Sequence, residues 1–186
     1  MEQPKTLFFI TTTAVLLIAL VGVILLVRTG LPTADVIAEE QAQRIKVSDF
    51  DPGDVEIIRI KNLPIIVWRR DETDKNLAAS QNTPDAWPQQ YSKVLGRSEA
   101  VFADDANLTL DGEWFFALAR FPSKYSYVLL RTGDFEGFFE GRYAGHFDLS
   151  GRIRTGALND NLTVIGAEYS DDRQSIHLNL KGIPEN

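Results

Sequence analysis

The chain has 186 residues, 24% of them charged and 44% apolar, with a net charge of −7 and no cysteine. This is ordinary globular composition, enough for one domain of moderate size plus an anchor, and the acidic balance argues against a nucleic-acid or anionic-lipid surface. Without cysteine the chain can form neither a disulfide nor a thiolate-held metal or cluster site.

Leu7 to Val27 reads LFFITTTAVLLIALVGVILLV, a run without charge. As a helix rising about 1.5 Å per residue it would reach across a hydrocarbon core about 30 Å thick, so residues 1–28 are expected to hold one transmembrane helix. The run is longer than the apolar core of a typical signal peptide, and no small-x-small cleavage site follows it. Thr11, Thr12 and Thr13 can bond back to the preceding turn without breaking the span. Lys5 and Arg28 flank the run on opposite sides, so basic residues alone do not orient it. An acidic domain behind a tether favours export, which places the amino terminus in the cytoplasm and the rest of the chain outside.

Residues 29–50 are polar and mixed, with Pro32 near the membrane exit and a Pro52-Gly53 turn just beyond, and are expected to form a tether. Within it, 38–44 is long enough for a short helical turn only. Residues 51–186 are expected to form an antiparallel, mostly β domain. Val55 to Ile60 and Leu63 to Trp68 are rich in β-branched residues and separated by Lys61-Asn62, which predicts a β-hairpin. The polar stretch from Arg69 to Leu95 reads as an inserted loop region with some helix. Further strands are predicted at Trp114 to Arg120, Tyr127 to Leu130, Arg142 to Phe147, Leu162 to Ile165 and Ser175 to Leu180, punctuated by Gly133-Asp134, Ser150-Gly151 and Asp171-Asp172.

The stretch GFFEGRYAGHFDLSGRIRTGALNDNL, 137–162, resembles the second cluster-binding loop of Rieske iron-sulfur subunits of cytochrome bc complexes, roughly GxFCPCHGSxYDxxGRxxxGPAPxNL. Phe147-Asp148, Gly151-Arg152, Gly156 and Asn161-Leu162 carry the tail of that pattern. LPTADV, 31–36, is similar to the family's NPSADV hinge, and LPIIVWRRDE, 63–72, to its PVFIVRRTxE strand. With the amino-terminal helix, the resemblance covers nearly the whole chain.

The resemblance implies a [2Fe-2S] cluster held by two thiolates and two imidazoles, from the family's CTHxGC and CPCH loops. In this sequence the first-loop ligand positions fall on Phe121 and Ser123 and its disulfide position on Ser126. The second-loop ligand positions fall on Glu140 and Tyr143, and the other disulfide position on Arg142; the GPAP loop has become Gly156-Ala157-Leu158-Asn159. None of these side chains suits the cluster: phenylalanine offers no donor, protonated serine is a poor ligand, and glutamate and phenol oxygens are too hard.

The chain is therefore expected to be a degenerate family member with no cofactor, no metal site and no enzymatic activity. Its expected role is a structural or assembly subunit of a respiratory electron-transport complex, supporting a cytochrome bc complex or terminal oxidase or joining two complexes. Its partners would be the lipid bilayer and cytochrome b, cytochrome c-type or oxidase subunits, with no nucleic acid. The alternative is a free-standing, membrane-tethered periplasmic binding module or assembly factor. The resemblance also implies a single-pass protein of the inner, energy-transducing membrane, its domain in the bacterial periplasm or mitochondrial intermembrane space.

Partner contacts are expected from Tyr127, Leu129, Leu130, Phe138 and Phe139, apolar and aromatic groups of the kind enriched at interface cores. Phe121, Tyr125 and Tyr143 are expected to fill volume left by the cluster, and Glu140 to pair with Lys124 or Arg142. Glu140, His146 and Asp148, spaced for one face of a regular strand, form the one conceivable hard-metal or acid-base group. Phe147-Asp148 belongs to the turn pattern, which favours a structural role for Asp148.

Overall fold

The protein is described by a computed structural model covering residues 3–30, 43–83, 103–120, 127–158 and 160–183. The expected hinge at 31–36 and the first-loop positions Phe121, Ser123 and Ser126 lie outside these residues. The chain forms two units, Met1–Gln41 and Ala42–Asn186.

The first unit contains one helix, α1 (Gln3–Gly30), of 28 residues. It is continuous through the apolar run, and Thr13 Oγ1 donates to the Phe9 carbonyl one turn back, at 2.8 Å. Its described side chains, 9–10 and 12–23, are exposed apart from Gly22. Among the described residues no helix is both long and apolar enough to cross a membrane. The uncharged run 7–27 extends beyond those side chains at both ends.

The second unit is mostly antiparallel β. Strands β1 (Arg44–Lys46), β2 (Val55–Ile60), β3 (Leu63–Arg69), β4 (Thr109–Leu110), β5 (Trp114–Leu118), β6 (Val128–Leu130), β7 (Phe138–Glu140), β8 (Gly145–Phe147), β9 (Ile153–Thr155), β10 (Ala167–Tyr169) and β11 (Ser175–Leu178) follow in order, with helix α2 (Glu72–Gln81) after β3. They form three sheets, ordered β1-β11-β10, β2-β3-β5-β4 and β6-β7-β8-β9.

The β2–β3 hairpin closes at Ile60 opposite Leu63. Lys61 and Asn62 both take positive φ, 49° and 61°, as a two-residue turn matched to strand twist requires. Strands β3 and β5 read as unbroken apolar runs because both of their faces are covered. Ile66, Trp68, Phe115 and Ala117 face a core shared with Val128, Phe138, Phe147 and Ile153 of the β6–β9 sheet. Ile65, Val67, Trp114 and Phe116 face a second core with Ile45, Phe50, Ile176 and Leu178.

Several expectations are corrected here. Arg44 opens β1, pairing with His177, so the β fold begins before residue 51, while most of the helical turn expected at 38–44 lies outside the described residues. Three residues are too few to announce a strand, yet Ile45 is buried because its partner strand supplies the core. The helix expected within the stretch after Arg69 is present as α2, which starts in a capping box: the Asp71 carboxylate accepts the Asp74 N–H and the Asp74 carboxylate accepts the Asp71 N–H. Only Gly145–Phe147 of the strand expected at 142–147 is extended, since 141–144 is a turn. At 162–165 the chain makes an isolated bridge, Val164 opposite Ala117.

Candidate functional site

The turn joining β7 to β8 carries the second-loop positions. Glu140 ends β7 opposite Gly145 and is wholly buried. Its Oε1 accepts the Arg142 N–H at 2.9 Å and its Oε2 the Tyr143 N–H at 2.8 Å, so the carboxylate closes the turn that follows it. From the other side, the Ala157 N–H donates to the Tyr143 carbonyl at 3.1 Å. Leu158, in the segment that replaces the GPAP loop, is buried over Gly145. A β-carbon at Gly145 would lie 2.5 Å from Leu158 Cδ1, so glycine permits that seating.

A buried ionic network that sequence reasoning did not assemble surrounds Asp148. Asp148, fully buried, accepts from Arg152 Nε at 2.7 Å, from Arg154 Nη1 at 3.0 Å, and from the Ser150 and Arg152 N–H groups at 3.0 Å each. Arg152 also reaches Asn82 Oδ1 at 2.6 Å and the Ala103 carbonyl at 3.1 Å, and Arg154 the Gln81 carbonyl at 3.1 Å. Cations there complement the carboxyl end of α2. Arg70 donates to Asp105 at 2.9 Å and to the Leu149 carbonyl at 2.8 Å. Asp104, held by the Ala106 N–H and the Asn82 amide with the Arg152 charge nearby, has its carboxyl pKa below the ordinary value. The signal available in the sequence was Gly151-Arg152 with Arg154; Arg70 and Asp105 are joined to them only by tertiary packing.

The expected Glu140, His146 and Asp148 group does not assemble. Four turn residues separate the strands, and Glu140 pairs with Gly145 while His146 pairs with Phe139, so Glu140 and His146 fall on opposite faces. His146 Nδ1 instead accepts the Asp134 N–H at 3.1 Å. No group of three or more acidic, histidine or cysteine side chains able to hold a metal occurs among the described residues.

The expected contact residues divide. Tyr127 and Leu129 are 68% and 53% exposed, Phe139 and Leu130 are half-buried, but Phe138 is fully buried, stacked on Phe115 at 5.4 Å and edge-on to Trp68 at 5.6 Å. Alternation along β7 sends Phe138 into the core and Phe139 outward. Phe138 is therefore not a contact residue.

Tyr143 is also corrected. It is 38% exposed, with the Arg142 guanidinium 5.4 Å from its ring centre, so it does not fill an interior volume. Phe121, Tyr125 and Lys124 lie outside the described residues. Tyr143→Ala is accordingly expected to cost less than about 1 kcal/mol by chemical denaturation, the range of an exposed cation–π pair. A larger loss would mean that the ring is packed.

No protein-family model matches the chain. The ubiquinol-cytochrome c reductase iron-sulfur subunit of Cereibacter sphaeroides is 30% identical over 145 residues, covering 76% of each chain. The chain belongs to the Rieske iron-sulfur subunit family. A second bacterial member, the ubiquinol-cytochrome c reductase iron-sulfur subunit of Rhodobacter capsulatus, is 29% identical over 137 residues, 69% of this chain and 70% of that one. The mitochondrial cytochrome b-c1 complex subunit Rieske-3 of Nicotiana tabacum is 28% identical over 131 residues, 70% of this chain. The chain spans only 44% of the length of that plant relative.

The name of the Rieske family implies a cluster that these residues do not fit. There is no thiol anywhere in the sequence. At the second-loop positions stand a carboxylate whose two oxygens already accept backbone N–H groups and a half-exposed phenol. Hard oxygen donors do not replace the sulfur and imidazole set of such a centre.

Proposed function

We propose that this Rieske family member is a membrane-tethered, non-redox and non-enzymatic accessory subunit of a respiratory electron-transport complex, associated with a cytochrome bc complex or a terminal oxidase. The observation that carries the proposal is the Glu140 turn: family membership supplies the docking context, and a carboxylate engaged by its own backbone occupies a cluster-ligand position. A chain that keeps the family fold without the electron carrier retains surfaces for binding and assembly. The continuous α1, read with the uncharged run 7–27, supports a single span, with the amino terminus cytoplasmic and the β domain in the periplasm or intermembrane space. In this reading Tyr127, Leu129 and Phe139 supply contact groups toward cytochrome b, cytochrome c-type or oxidase subunits, while Phe138 serves the core.

Purification of the tagged full-length chain from its own membranes in mild detergent tests the proposal. Stoichiometric recovery with haem-containing subunits is the expected result. Recovery of the chain alone would contradict it and favour a free-standing periplasmic module.

A further inference from the structure

We infer that Glu140 is a built-in substitute for the anionic group that a ligand turn of this family receives, so the chain's own carboxylate holds the 140–145 turn in shape. The inference rests on the non-redox reading above. Successive backbone N–H groups pointing at one spot form a concavity for an anion, a device used at many phosphate and iron-sulfur sites. Here the N–H groups of Arg142 and Tyr143 converge on one side chain, and by the resemblance in sequence that side chain stands where the family carries a thiolate ligand. A carboxylate two and three residues before those amides brings its own negative charge to them.

Burial makes the arrangement consequential. Glu140 is fully buried, and an ionised carboxylate out of water is costly unless hydrogen-bonded. Among the described residues both of its partners are backbone amides. Such charge-assisted bonds are about twice as strong as neutral ones, and their loss would leave the turn's N–H groups without acceptors. The bond from Ala157 to the Tyr143 carbonyl and the seating of Leu158 on Gly145 hold the same turn from the opposite side, so losing the carboxylate loosens the turn without dissolving the strands beneath it.

Amide hydrogen exchange on the full-length chain in detergent reads this directly, with iron and labile sulfide measured in the same samples. In the wild type the Arg142 and Tyr143 amides are expected to be protected. Glu140→Ala should speed exchange at both by at least about tenfold while β2–β3 hairpin amides stay unchanged, consistent with loss of charge-assisted bonds. Glu140→Gln keeps the shape and one acceptor oxygen, so it should release one of the two amides and decides the matter if the alanine variant does not fold. Unchanged protection of both amides in Glu140→Gln, or no protection in an iron-free wild type, overturns this inference alone. Stoichiometric iron and sulfide in the wild type overturns the non-redox reading as well.

Discussion

Asp148→Asn is expected to lower the stability of the β domain by about 3 to 5 kcal/mol, the usual cost of removing one member of a buried ion pair. The Asp148 carboxylate neutralises two guanidinium groups that have almost no access to water, Arg152 at 2.7 Å and Arg154 at 3.0 Å. Asparagine retains one acceptor oxygen but presents an amide N–H₂ where the other oxygen accepted, and it removes the charge. The two arginines are then left in the interior beside each other. Chemical denaturation of the full-length protein, followed by tryptophan fluorescence, measures the loss, because Trp68 and Trp114 are fully buried. A change below about 1 kcal/mol would show that the network contributes geometry without holding the fold.

Gly156→Ala carries the second large effect, with an expected loss above about 3 kcal/mol, because it combines backbone strain with a collision that rigid neighbours cannot relieve. Gly156 has φ of 105°, outside the range that L side chains adopt readily. A β-carbon there would lie 2.1 Å from the Ala144 carbonyl oxygen and 2.8 Å from Gly145 Cα, both backbone atoms. The 156–158 segment would have to lift off the turn, breaking the Ala157-to-Tyr143 bond and unseating Leu158. Thermal unfolding should therefore show a lowered midpoint for this variant. A midpoint equal to that of the wild type would mean that the close approach between the two loops is not maintained in solution.

The parts of this fold legible in the sequence are those with strong local chemistry. The β2–β3 hairpin and its turn could be placed because Lys61-Asn62 sits between two β-branched runs and Asn62 suits the left-handed region, although β3 runs one residue past Trp68 to Arg69. The strand expected at Trp114 to Arg120 is present as the shorter β5, Trp114–Leu118, an apolar run covered on both faces. Strands β1, β9 and β10 are three residues each, too short for a local periodicity to announce them, and β1 draws its burial from β11, a partner distant in sequence.

The site divides in the same way. The mismatch of Glu140 and Tyr143 with a cluster was visible from residue types alone. The Glu140 hydrogen bonds were not, because they depend on how the following turn curls back. Alternation predicted one face for Glu140, His146 and Asp148, but the four-residue turn at 141–144 reverses parity between β7 and β8. Tyr143 was expected to fill volume left by the cluster, yet the turn faces it toward solvent and Leu158 lies over Gly145 instead.

This member of the Rieske family is expected to carry no cluster. Iron and labile sulfide analysis of the full-length protein, purified from its native membranes and combined with electron paramagnetic resonance after reduction, tests it most directly. The expected result is a colourless protein with iron far below stoichiometric and no Rieske-type signal. Stoichiometric iron and sulfide, or such a signal arising from this chain, would contradict it.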